Sequence, residues 1–146
     1  MIIRDIMQSD VQVARPEQTA REAAEMMEAA GVGCLPVVEE GRPVGMLTDR
    51  DIAVRVDAYG KDPMFTRVGE IMTNAFVACH DNEEVDVVLN RMFKYGLQRL
   101  PVVSRDGHGL LGIVSLTDLA ESTLDKKFVA MTIAAGKRRP QAETSR

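Results

Sequence analysis

Apolar residues in this chain follow two rhythms, and the order of those rhythms occurs twice. Val11 and Val13 alternate with polar neighbours, which predicts a short strand. Ala23, Met26, Met27 and Ala30 then recur at helical spacing behind Thr19-Ala20-Arg21-Glu22, whose spacing is that of a capping box. Gly31 is placed to end that helix. Leu35 to Val38 and Val44 to Leu47 form two apolar runs around a turn containing Gly41, the pattern of a hairpin, and a second helix opens at Thr48. The later part repeats the order. Phe76 to Cys79 reads as a strand and Glu84 to Tyr95 as a helix with Val85, Val88, Leu89 and Met92 inward. Two further strands and a helix from Ser115 to about Leu124 follow. Each copy is β-α-β-β-α.

Residue identities carry the repeat as well as the rhythm does. Asp5-Ile6-Met7 returns as Glu70-Ile71-Met72, and Gly31 to Val38 returns as Gly96 to Val103, both displaced by 65 positions. Gly45-Met46-Leu47-Thr48-Asp49-Arg50-Asp51-Ile52 returns as Gly112 to Leu119 displaced by 67, so the second copy gained two residues in the turn from Ser104 to Gly109. A unit of about 55 residues buries too little surface to be stable alone, so the two copies are expected to pack face to face about a pseudo-twofold axis. The expected fold class is α/β (α+β). Its parts are repeat 1 at residues 4–57, a surface connection at 58–68 containing Gly60 and Pro63, repeat 2 at 69–124, and a tail at 125–146.

Charge separates the tail from the body. The net charge of −4 divides into +5 on Lys126 to Arg146 and −9 on the rest. An acidic body disfavours general nucleic-acid binding, although the basic, partly disordered tail could still touch a phosphate backbone. The chain has no stretch approaching the ~20 apolar residues of a membrane helix and starts without the pattern of a signal peptide, so a cytoplasmic protein is expected. Cys34 and Cys79 lie in apolar contexts without metal-ligand spacing, so reduced thiols are expected, Cys79 in the core and Cys34 at a cleft rim. His80 and His108 have no nucleophile and orienting group in any recognisable pattern. Neither catalysis nor a metal site is expected. Met26, Met27 and Met92 read as core packing.

The ordered set of Asp-Ile-Met, strand, helix, Gly-x-x-x-Leu-Pro-Val-Val, turn and Gly-x-x-[Ser/Thr]-x-x-Asp resembles the CBS domain, and its duplication over residues 4 to 124 resembles the tandem CBS pair called a Bateman module. Thr48-Asp49-Arg50-Asp51-Ile52, followed by Asp62-Pro63 and a second Ile-Met-Thr, is similar to stand-alone prokaryotic CBS-pair proteins of the hypoxic-response-protein type. Two readings of Thr48-x-x-Asp51 and Ser115-x-x-Asp118 stand side by side. In one, hydroxyl and carboxylate cap a helix. In the other, the helix start and hydroxyl meet a phosphate and the carboxylate takes a ribose diol, which is the adenosine-nucleotide signature that the resemblance implies. It also implies composite pockets, with Thr48 and Asp51 facing Gln98 and Arg99, and Ser115 and Asp118 facing Gly33 and Cys34. Arg99 would then serve the first pocket. Arg50 is expected to be exposed.

The function implied is a regulatory ligand-sensing module that binds AMP, ATP or a similar adenosine nucleotide in clefts between the repeats and signals to an effector protein in trans. It uses no obligatory cofactor and is not an enzyme. The alternative is a stand-alone dimeric interaction protein with empty clefts. A homodimer is expected in either case, because Ile52, Val54 and Val56 in the first copy, and Leu119 and Leu124 in the second, exceed what one two-repeat body is expected to bury.

Overall fold

Thr19 opens the first long helix in the manner its spacing to Glu22 predicts. Its hydroxyl accepts from the Glu22 amide at 3.1 Å, and the Glu22 carboxylate accepts from the Thr19 amide at 2.9 Å. Two N–H groups that the helix cannot pair internally are thereby satisfied. The helix, α1 (Ala20–Ala30), stops at Gly31, whose φ of 68° lies in the left-handed region that a glycine adopts at little cost. The computed structural model describes residues 1–123. Leu124 and the basic segment 125–146 lie outside them.

The described chain divides into two units. The first is Gln12–Phe76. After α1 it contains the hairpin β1 (Cys34–Glu39) and β2 (Arg42–Thr48), the short helix α2 (Asp49–Ile52) continuing as a wider helical turn at Ala53–Asp57, and α3 (Val68–Ile71). Glu40 and Gly41 both take positive φ, 52° and 79°, as a two-residue turn matched to strand twist requires. Leu35, Val37, Leu47, Val56, Val68 and Ile71 close its core against α1.

The second unit combines Met1–Val11 with the chain from Val77 onward. It contains β3 (Cys79–His80), α4 (Val85–Tyr95), β4 (Arg99–Val103), β5 (Leu110–Ser115) and α5 (Leu116–Glu121). β3 runs parallel to β4, and β4 is antiparallel to β5. Both hairpins carry a register shift at the same place, Val37/Val38 in one and Val102/Val103 in the other. Such irregularities bend a strand and raise its local twist, so the duplication preserved backbone shape as well as sequence. The helix faces differ in bulk: Ala20, Ala23 and Met27 are the buried residues of α1, where Val85, Val88, Leu89 and Met92 fill the larger face of α4.

The spatial units are not the sequence repeats. Gln8 exchanges two backbone hydrogen bonds with Ile113, each at 2.9 Å, and so belongs to the second unit. Thr73 exchanges two with Met46, at 2.9 and 3.0 Å, in the first. Each unit is therefore completed by the Ile-Met segment that begins the other sequence repeat.

Several expected boundaries shift. Val11 to Val13 form no strand; Ala14 alone brackets Val37, donating to Pro36 O and accepting from Val38 N, before the chain turns at Arg15 to Gln18. The predicted strand at Phe76 to Cys79 contracts to Cys79–His80, because only these residues meet β4. Val56 and Leu119, expected on an exposed apolar face, are buried within their own units, and Ile52 and Val54 are half-buried. They do not support a homodimer.

The borrowed segments fit only because a glycine faces each. A Cβ on Gly112 would collide with the Gln8 carbonyl oxygen, and one on Gly45 would lie 2.7 Å from Met72 Sδ and 3.0 Å from Thr73 O. The Gly112 obstacle is backbone and cannot swing away, whereas a thioether can. Gly112→Ala is accordingly expected to cost about 1–3 kcal/mol, more than Gly45→Ala, as read by urea unfolding. Equal, negligible losses would mean that the crossing is not close-packed.

Candidate functional site

The two Ser/Thr-x-x-Asp segments occupy equivalent strand-to-helix corners. In the first unit β2 ends at Thr48, whose hydroxyl accepts from the Asp51 amide at 3.1 Å. In the second, β5 ends at Ser115, whose hydroxyl accepts from the Asp118 amide at 3.0 Å. The carbonyl before each first hairpin strand closes the corner: Gly33 O accepts from the Asp49 amide at 2.9 Å, and Gln98 O from the Leu116 amide at 2.8 Å. As caps, the corners are alike.

Their carboxylates are not. Asp51 returns the cap, its Oδ2 accepting from the Thr48 amide at 3.0 Å, and its side chain is 0% exposed. Arg55, one turn along, brings Nε to 3.9 Å from Asp51 Oδ1. The Arg55 Nη1 also donates to the Ile71 and Met72 carbonyls at 3.0 and 3.3 Å. Asp51 is thus enclosed by the hydrogen bonds of its own corner and braced toward α3. Asp118 is half-exposed, and among the described residues its carboxylate makes no hydrogen bond or ion pair. The position equivalent to Arg55 is Ser122, whose hydroxyl donates to Leu119 O at 2.6 Å instead.

Strand register decides which cation stands at which corner. β4 and β5 pair Arg99 with Ser115, and β1 and β2 pair Cys34 with Thr48. Directly opposed residues hold their Cβ atoms about 4.5–5.5 Å apart, within reach of one small ligand group. The second unit therefore brings Gln98, Arg99, Ser115 and Asp118 to one corner. The ladder register sets Arg99 opposite Ser115 of its own repeat. Arg99 is exposed, and its guanidinium is engaged by no described residue. Cys34, expected at a rim, is buried at 8% exposure. Arg50, expected at the surface, is half-buried, its Nε enclosed and without a hydrogen-bond partner among the described residues. Asp49 was overlooked in the sequence: its carboxylate lies where a Cβ on Gly33 would come within 2.8 Å of Oδ2, while the equivalent residue in the second unit is the buried Leu116.

The remaining titratable groups have structural roles. Glu83 takes both Arg91 Nη atoms, at 2.6 and 2.9 Å, and accepts from the His80 amide at 2.9 Å. The Arg91 guanidinium, ahead of the backbone donor, holds the Glu83 carboxyl below the usual range. Burial pushes the Cys79 thiol up to about 12, so it is an unreactive core group. Among the described residues Cys34 and Cys79 form no disulfide. His80 Nδ1 lies 3.1 Å from Val103 O at the strand end, and His108 sits in the enlarged turn. No group of three or more His, Cys, Asp and Glu side chains able to hold a metal ion occurs among the described residues, and no described helix is long and apolar enough to cross a membrane.

Comparison with known proteins agrees with the duplicated architecture. The CBS domain family model matches twice, over residues 3–57 and 68–125. The CBS domain-containing protein YhcV of Bacillus subtilis is 40% identical over 86% of this chain and 87% of its own length. Hypoxic response protein 1 of Mycobacterium tuberculosis is 36% identical over 80% of this chain and 81% of its own. A crystal structure of Hypoxic Response Protein I with two coordinated zinc ions superposes with a TM-score of 0.76 at 34% identity, covering 84% of this chain and 99% of that one. The CBS domain pair of protein MJ0100, crystallised with 5′-methylthioadenosine and S-adenosyl-L-methionine, gives 0.73 at 32% identity, covering 83% and 94%. These structures share the mixed helix and small-sheet fold.

A carboxylate whose pKa is lowered by folding stabilises the fold above its unfolded value, about 4.3, and that contribution is lost as pH falls through the folded value. Glu83→Gln is therefore expected to flatten the decline of Tm between about pH 5 and pH 3. A thermal scan series in which the variant and parent decline in parallel would remove Glu83 from the acid response.

Proposed function

The chain belongs to the CBS domain family as a tandem pair, and from that premise we propose that it is a regulatory module that binds an adenosine-containing ligand with an anionic group and signals to a partner protein in trans. The observation that carries the reading is the register pairing Arg99 with Ser115, one helical turn from the Asp118 carboxylate, which no described residue engages. A ribose offers two adjacent hydroxyl donors, which a carboxylate accepts together. A phosphate or carboxylate group of the ligand offers acceptors, which a guanidinium and a hydroxyl satisfy. Acceptor, hydroxyl and cation therefore match ribose and anion in kind. Of the two adenosine ligands held by the MJ0100 pair, a relative of the same fold, S-adenosyl-L-methionine carries a carboxylate and belongs to this class. Thr48 and Asp51 offer the same residue types, and Gln98 adds an amide beside Arg99.

A homodimer belongs to the same reading. It rests now on Val87, Phe93 and Tyr95 of α4, which remain exposed, and not on the residues named from the sequence. Light scattering is expected to give about twice the chain mass of 16.1 kDa; a particle of the chain mass would refute the dimer.

Calorimetric titration with AMP, ATP, NAD and S-adenosylmethionine, with adenosine as the uncharged control, tests the ligand class. A charge-assisted hydrogen bond contributes about 1.5–3 kcal/mol, so AMP is expected to bind about ten- to a hundredfold more tightly than adenosine. Arg99→Ala should erase most of that difference. Binding of none of these ligands would leave a stand-alone dimeric interaction protein whose corner residues only cap helices.

A further inference from the structure

We propose that Met7 and Met72 are a pair of reversible, hydroperoxide-sensitive latches, whose thioethers hold the two borrowed segments in place and whose oxidation opens the backbone crossing of each unit. The latches act whether or not the corners take a ligand.

Position carries the first half of the case. Ile6-Met7 and Ile71-Met72 are one element displaced by 65 positions, and each methionine lies in the unit that the other repeat builds. A Cβ on Gly45 would lie 2.7 Å from Met72 Sδ, and one on Gly112 would lie 3.2 Å from Met7 Sδ. Each sulfur therefore fills the space that a side chain on the facing strand would otherwise take, and each methionine also packs against the core of its unit. Both are half-buried, and the residues that follow them, Gln8 to Asp10 and Asn74 to Ala75, are exposed. A small oxidant meets such a side chain at the edge of the core without global unfolding. Among the other described methionines, Met27, Met46 and Met92 are buried, and Met1 and Met64 are exposed with little packing to lose. Met26 is half-buried on α1, where its sulfur accepts from the Gln18 side-chain amide at 3.8 Å.

Chemistry carries the second half. A hydroperoxide transfers one oxygen to the thioether: the O–O bond breaks, an S–O bond forms, sulfur loses two electrons, and the peroxide departs as an alcohol or, from hydrogen peroxide, as water. The product is a polar sulfoxide. Among the described residues the sulfurs of Met7 and Met72 accept no hydrogen bond, so the new oxygen would be enclosed without a donor, which is costly. The flexible side chain turns out to water instead. In Gly45→Ala the added methyl refills the space that Met72 gives up; after oxidation nothing does, and the borrowed segment loses the contact that clamps it to β2 or β5. The backbone pairs of Gln8 with Ile113 and of Thr73 with Met46 are then the first to open. A sulfoxide reductase supplied with two thiols per sulfoxide restores the thioether, releasing a disulfide and water, and closes the crossing.

Titration of the full chain with hydrogen peroxide, followed by peptide mass mapping, thermal scans and amide hydrogen exchange, tests the latches. Met7 and Met72 are expected to gain oxygen after Met1 and Met64 and well before Met46 and Met92. Tm should fall by about 5 °C or more as they do. Exchange at the Gln8, Met46, Thr73 and Ile113 amides should rise about tenfold or more, ahead of the core. Reductase treatment should reverse both changes. The double variant Met7→Leu, Met72→Leu should keep its Tm under peroxide that still oxidises Met1 and Met64. Where those leucines prevent folding, replacement of every methionine by norleucine, which has the same chain length and no sulfur, carries the same expectation. Oxidation of Met7 and Met72 no earlier than Met46 and Met92 would overturn the proposal. So would their oxidation with Tm and exchange unchanged, or a Tm loss under peroxide as large in the protein lacking both sulfurs as in the parent.

Discussion

Each unit of this protein depends on a close backbone crossing that its own sequence repeat does not supply. Gln8 lies against Gly112 and pairs with Ile113; Thr73 lies against Gly45 and pairs with Met46. The paired strands β5 and β2 each lead directly into a Ser/Thr-x-x-Asp corner. A side chain at either glycine would push the borrowed segment away from the strand that sets the corner. Placement of the hydroxyl and carboxylate therefore follows from packing made many residues away, which a local motif cannot display.

On that common frame the two corners have diverged in chemistry without changing their backbone. The Thr48 and Ser115 caps match to within 0.1 Å, and both hairpins shift register at the same residue pair. The differences lie in single side chains: Arg55 against Ser122, Asp49 against Leu116, Cys34 against Arg99. Capping by the hydroxyl fixes the helix start in both cases. Return bonding by the carboxylate occurs in one only, and it determines whether the acidic group is part of the fold or available to a ligand.

Much of this was legible in the residues. Thr19 with Glu22 announced a cap, Gly31 announced a helix end, and the constant displacement of 65 positions announced a duplicated unit. Features that depend on distance in sequence were not. Helical and strand periodicity report neighbours within one element, so they gave no sign that Asp5-Ile6-Met7 would complete the second unit or that Val56 and Leu119 would be buried. The place of Arg99 opposite Ser115 was set by a ladder register, and the enclosure of Asp51 by the reach of Arg55 to the carbonyls of Ile71 and Met72. Neither can be read from spacing. Asp49 escaped notice because it lies inside a motif whose hydroxyl and second carboxylate attract attention first.

The most direct test of the account is a crystal structure of the chain grown with AMP. The ribose hydroxyls are expected within hydrogen-bond distance of the Asp118 carboxylate, the phosphate beside the Arg99 guanidinium, and the Thr48 to Asp51 corner still closed by its own hydrogen bonds. Nucleotide seated on Asp51, with Asp118 left bare, would contradict it.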